Sequence, residues 1–103
     1  AREVGVYLRA ELENLAGRQP LIGDIRGRGL FFGVELVHDR ESLDPAYREA
    51  RAIAENMKNE GVLIGSVGRF GNVIKIRPPL VFSKENADLL IEKFDKLLTE
   101  LNL

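Results

Sequence analysis

The chain has 103 residues, with 15 Lys+Arg, 16 Asp+Glu and a formal net charge of -1. That length supports one hydrophobic core, not two, and near-neutrality removes the general electrostatic case for nucleic acid or an anionic membrane. Cysteine is absent, which excludes disulfides, thiolate metal sites and a cysteine nucleophile and suits a reducing, cytoplasmic compartment. Apolar runs reach only a few residues, far short of a bilayer span, and no signal-peptide pattern opens the chain.

Residues 2–16 carry a helical stripe of Val4, Leu8, Leu12 and Leu15, with Arg9, Glu11 and Glu13 facing away. Gly17 stands where a left-handed C-terminal cap is expected, and Pro20 forbids continuation. The chain opens at Ala1 almost inside this helix, as an excised segment would, or equally a chain whose initiator Met has been removed. A strand is expected within 21–37: Leu30, Phe32, Val34 and Leu36 alternate onto one face, and Phe31, Gly33, Glu35 and Val37 onto the other. Gly27 and Gly29 suggest a bend or bulge leading into it.

Asp44-Pro45 predicts the start of a second helix, with Asp as N-cap and Pro at the first helical position. Ala46, Ala50, Ile53, Ala54 and Met57 form its apolar face, small enough to approach a sheet closely, and Gly61 closes it. A short strand follows at Val62–Gly65, then a glycine-punctuated loop at Ser66–Asn72, then a strand at Val73–Arg77 ended by Pro78-Pro79. Ser83 caps a last helix whose stripe is Ala87, Leu90, Ile91, Phe94, Leu97, Leu98 and Leu101, with Glu85 suited to its first turn.

The order helix, strand, helix, strand, strand, helix predicts an α/β (α+β) fold. Its sheet is small and mixed, of about three strands in a split βαβ unit, with three helices mainly on one face. The last strand returns between the other two. Phe31, Val37 and Phe70 are placed on the second face, and an uncovered apolar face there implies a missing partner.

The run from Gly27 to Gly33 resembles a dinucleotide loop only superficially. Its glycines precede a strand, whereas a phosphate loop follows a strand and opens a helix. Gly65, Gly68 and Gly71 lack the Lys-Ser/Thr of a P-loop. His38 is the only histidine and reads as a surface turn residue, without the companions of a metal site or a Ser–His–Asp triad. Glu35, inside an apolar strand, needs a partner if buried, and Arg28, Lys75 or Arg77 could supply it; a structural ion pair is favoured over a catalytic carboxylate. Lys75 and Arg77 lie two apart in an extended segment, so both project to one face while Ile74 and Ile76 turn to the core. Two cations at a strand end locked by prolines make a candidate anion site, weighed against ordinary solvated charges.

Three separated stretches, Ile22-Gly-Asp-Ile-Arg-Gly-Arg-Gly-Leu-Phe-Phe-Gly-Val-Glu-Leu36, Gly61-Val-Leu-Ile64 and Gly71-Asn-Val-Ile-Lys-Ile-Arg-Pro-Pro-Leu80, resemble the class III aminotransferases in order and spacing. These are pyridoxal-phosphate enzymes of fold type I. The likeness is to their C-terminal small domain, covers nearly all of residues 1–103, and looks nearest the branch of alanine–glyoxylate aminotransferase type 2 and the phospholyases. It implies a parent enzyme that moves an amino group from an amino acid or amine to a keto acid, with the cofactor as electron sink.

In that family a basic residue near the Pro-Pro-Leu turn receives the substrate carboxylate, commonly an Arg three positions before the first Pro. Here that position is Lys75, a departure that leaves Arg77 as a substitute and keeps a phosphorylated amine substrate open. The family's Schiff-base lysine, the acidic partner of the pyridine nitrogen and the phosphate loop belong to a large domain upstream. Lys58, Lys75, Lys84, Lys93 and Lys96 are this chain's five lysines, and none matches the Schiff-base context. The resemblance therefore implies pyridoxal phosphate in the parent, none in the isolated chain, and no catalytic residue of its own. The implied partners are the large domain of the same parent chain and, through surface that domain normally covers, a second copy. The competing reading is a stand-alone α/β module binding a small anion or a partner protein. A third, nucleic-acid binding by a ferredoxin-like sheet, lacks paired exposed aromatics.

Overall fold

The computed structural model describes residues 2–29, 31–58, 63–68, 70–79 and 81–101, with 63–67 entering through their backbone pairing. Its elements run α1 (Arg2–Ala16), β1 (Ile22–Arg28), β2 (Phe31–Asp39), β3 (Asp44–Pro45), α2 (Tyr47–Met57), β4 (Leu63–Val67), β5 (Val73–Arg77) and α3 (Lys84–Leu101). The sheet order is β1-β2-β5-β4, with the two-residue β3 pairing onto β2. Every neighbouring pair is antiparallel, so β2 and β4, which flank β5, run in the same direction. This is the split βαβ unit expected from the element order, with α2 as its crossover. A further strand, β1, extends it.

β1 and β2 form a hairpin where one strand was expected. Arg28 pairs with Phe31, and Gly29 takes a φ of 63° that side chains rarely adopt. Gly27 is not a bend: a Cβ there would stand 2.4 Å from the Phe32 ring, so the glycine makes room for the aromatic across the hairpin. The register shift falls instead between Ile22 and Asp24.

Inward residues of the sheet are Ile22, Phe32, Val34, Leu36, Ile74 and Ile76, all 2% exposed or less. All three helices pack on that side. Leu8, Leu12 and Leu15 from α1, Ala50, Ile53 and Met57 from α2, and Ala87, Leu90, Ile91, Phe94 and Leu98 from α3 join them in one cluster. Each set follows the 3.6-residue period. Val37 departs from expectation. It has outward parity yet is fully buried, beside Gly23 and opposite Pro45 of β3. Leu30 and Gly61 lie outside the described residues.

Two expected caps take other forms. Gly17 does not adopt positive φ; its N–H donates to the Glu13 and Asn14 carbonyls at 3.2 and 3.1 Å, tightening the last turn of α1. The exposed carbonyls are met from afar. The Arg40 guanidinium donates to Ala16 O (2.6 Å), Gln19 O (3.0 Å) and Ile22 O (3.1 Å). Asp44-Pro45 is not the helix start either. It pairs with β2 as β3, and α2 begins at Tyr47 with no side-chain cap at Ala46.

The cap of α3 is as expected: Ser83 Oγ accepts from the Asn86 N–H at 3.1 Å, and Asn86 Oδ1 accepts from the Ser83 N–H at 3.0 Å. Two buried amides, absent from the sequence reading, close the remaining seams. Asn72 Nδ2 donates to Leu36 O at 2.9 Å, and Gln19 Nε2 donates to Asp95 and, at 2.8 Å, to Thr99 of α3.

Candidate functional site: the open face of the sheet

With the helices on one side, the alternating residues of β1, β2 and β5 make the other side: Asp24 and Arg26, then Phe31, Gly33 and Glu35, then Val73, Lys75 and Arg77. Pro78 follows at once, so β5 ends where its two cations stand.

Phe31 organises them. Its ring is 40% exposed; Lys75 Nζ lies 5.1 Å and Arg77 Cζ 5.2 Å from its centroid. Both cations thus rest on the negative face of one aromatic ring, an attraction of about 0.5–1 kcal/mol each at an exposed site. Among the described residues, neither cation pairs with a carboxylate. The acids nearest in the sheet are already engaged. Arg26 Nη1 sits 3.2 Å from Glu35 Oε1 and 3.2 Å from Asp24 Oδ2. Glu35 is therefore a structural ion-pair member as expected, but its partner is Arg26, not Arg28, Lys75 or Arg77. The hairpin register brings Arg26 alongside β2, which the sequence order alone does not show.

Lys75 has glycine opposite it on both neighbouring strands, Gly33 on β2 and Gly65 on β4. No side chain from either cross-strand position can stand over the ammonium. The result is a shallow platform with a compact point charge and a planar guanidinium side by side, neither paired with a described carboxylate and both suited to an anionic group. The β4–β5 connection lies at the Val73 end of β5, away from Arg77, where Phe70 lines a groove with Asp39, Leu43 and Pro45. β4 runs to Val67, leaving 68–72 as the loop, shorter than the Ser66–Asn72 expected, and Phe70 there is 57% exposed.

The other sequence candidates lie elsewhere. The glycines at 27, 29 and 33 serve a hairpin, in keeping with the rejection of a nucleotide loop. His38 is on β2 near its end, with its ring between Asp44 and Glu49. Shifted titrations also fall away from the platform. The Tyr7 phenol is pushed up to about 12 by its hydrogen bond to the Asp88 carboxylate, and Asp39 is held below the usual carboxylate range by the Glu41 N–H. Among the described residues there is no cluster of three metal-ligating side chains, and no helix is long and apolar enough to cross a membrane.

Pyridoxal phosphate needs a lysine amine, an acid opposite its ring nitrogen and an anion cradle for its phosphate. The five lysines do not assemble that set. Lys58 pairs with Glu55 at 3.3 Å, Lys84 lies over the Tyr7 ring, Lys75 over Phe31, and Lys93 and Lys96 border an open groove along α3. The described residues do not by themselves fit the cofactor.

The sequence profile described as Aminotransferase class-III matches residues 1–98. The chain belongs to the class III aminotransferase family. Within it, the chain is 48% identical over 101 residues to the Arabidopsis thaliana protein named alanine–glyoxylate aminotransferase 2 homolog 2, mitochondrial, covering 98% of this chain and 21% of that one. It is 37% identical over 103 residues to the Caenorhabditis elegans ethanolamine-phosphate phospho-lyase homolog 1, covering 99% and 22%. Among solved structures, a phospholyase from Arthrobacter in complex with phosphoethanolamine superposes with a TM-score of 0.84 at 43% identity, over 95% of this chain and 23% of that one. The chain thus spans about a fifth of the length of the curated relatives it matches, as a fragment of a larger enzyme does.

Proposed function

We propose that residues 1–103 are the C-terminal small domain of a pyridoxal-phosphate-dependent enzyme of this family. The parent moves an amino group from an amino acid or amine to a keto acid. The observation that carries this reading is the pair Lys75 and Arg77, without an ion-pair partner among the described residues and held on Phe31 beside glycines on both flanking strands. In the parent this platform receives the anionic end of the substrate, and the large domain of the same chain closes over the open face. The pyridoxal group, when bound in that large domain, supplies the electron sink. This chain supplies position and positive charge.

A phosphorylated amine is the second substrate class, favoured by one specific observation. The residue three before Pro78 is Lys75, whose point charge does not require the planar fork of a carboxylate–arginine pair. Likeness to proteins named as phospholyases supports it. The stand-alone anion-binding module remains the rival from another class.

The deciding observation is whether about 300 residues precede Ala1 in the intact gene product, which the module reading forbids. The parent is then assayed for amino transfer to a keto acid and for phosphate release from phosphoethanolamine. Lys75→Ala and Arg77→Ala are expected to raise KM for whichever substrate is used by about tenfold or more, the loss of a charge-assisted contact. Unchanged KM in both variants overturns the platform's role. The 103-residue chain alone is expected to be inactive, to reside in the cytoplasm when expressed there, and to give no shifted absorbance band with pyridoxal phosphate. A 1:1 complex with such a band overturns that expectation.

A further inference from the structure

His38, near the end of β2, reaches two acids on the segment that follows. Its Nδ1 lies 2.8 Å from Asp44 Oδ2 on β3, and its Nε2 lies 3.0 Å from Glu49 Oε2 in the first turn of α2. A carboxylate only accepts, and a neutral imidazole has one N–H and one bare nitrogen. Both contacts are hydrogen bonds together only when both nitrogens carry a proton. We propose that His38 is a pH-sensitive clasp, which as imidazolium fastens β3 and the start of α2 to the end of β2 and as neutral ring releases one of the two acids.

The surroundings leave the clasp to these three groups. The neighbouring Asp39 carboxylate accepts from the Glu41 N–H at 3.2 Å. The Arg40 guanidinium is bound to the Ala16, Gln19 and Ile22 carbonyls, and Arg48, beside Glu49, lies over the Tyr47 ring. The start of α2 has need of a fastening. It lacks a side-chain cap, and its seat on β2 is the Ala46 N–H donating to Leu36 O at 3.0 Å, next to the clasp. Bonds to the Asp44 and Glu49 carboxylates raise the ring above its ordinary 6.5. For a raised histidine the stabilisation is whole below about pH 6.5 and is lost as pH climbs through the raised value.

Because His38 is the only histidine, its ring is read without ambiguity by 15N–1H correlation spectroscopy on the full 103-residue chain. We expect protons on both ring nitrogens at pH 6.5, a midpoint above 6.5, and a lower midpoint in Asp44→Asn and in Glu49→Gln. Across that midpoint the protection factor of the Ala46 amide falls about threefold, the scale of an exposed ion pair, and it stays level in His38→Gln. A midpoint at or below 6.5, or an Ala46 amide indifferent to the titration, overturns the clasp. Should His38→Gln fail to fold, the wild-type titration and the two acid variants decide the matter.

Discussion

Along β2 and β5 the two faces of one sheet obey opposite rules. Inward, Phe32, Val34, Leu36, Ile74 and Ile76 are 1% exposed or less, and three helices lie over them. Outward, one residue away in each strand, stand Phe31, Glu35, Lys75 and Arg77, with no helix above and charge arranged around an aromatic ring. The inner face spends its residues on burial, which is where folding stability comes from. On the outer face two cations form no ion pair with a described carboxylate, an arrangement that contributes little to stability and suits an external anion.

That contrast is broken or sharpened by substitution. The largest effect is expected on the inner side: Phe94→Ala, at a fully buried position, lowers unfolding free energy by about 3–5 kcal/mol in urea titration, whereas Phe31→Ala on the outer side costs about 1 kcal/mol or less. Equal costs would erase the distinction between the faces. Next comes Gly27→Ala, whose Cβ would collide with the Phe32 ring at 2.4 Å and so couples the hairpin to the core; a loss of about 1–3 kcal/mol is expected. A stability unchanged by that substitution would show that the hairpin gives way cheaply. Smaller again is Arg40→Lys. It keeps the charge but loses the fork that meets three carbonyls, for about 1 kcal/mol by the same titration.

Legibility followed the same division. The helix stripes, the inward parity of β2 and β5 and the return of β5 between β2 and β4 were readable, because burial imposes a period and short connections constrain topology. The Ser83 cap was readable because its partner is three residues away. What escaped depended on partners far along the chain. Arg40 serves the end of α1 from 24 residues away, so Gly17 is released from capping. Asp44-Pro45 has the local signature of a helix start, yet pairing with β2 outbid it. β1 went unread as a strand because Gly23, Asp24, Arg26, Gly27 and Arg28 mask any alternation, one face being polar and the other yielding room to Phe32.

Of the platform, the shared face of Lys75 and Arg77 followed from the two-residue strand period, and the family from three motifs in order. Phe31 as their common support, Arg26 as the keeper of Glu35, and the glycines on both sides of Lys75 followed from none of these. Hydrophobic periodicity is a property of neighbours in sequence, so the amino acids by themselves determined which residues face inward. Cross-strand register is a property of distant segments brought together, and so the tertiary structure alone decided which of the described charges are matched and which are not.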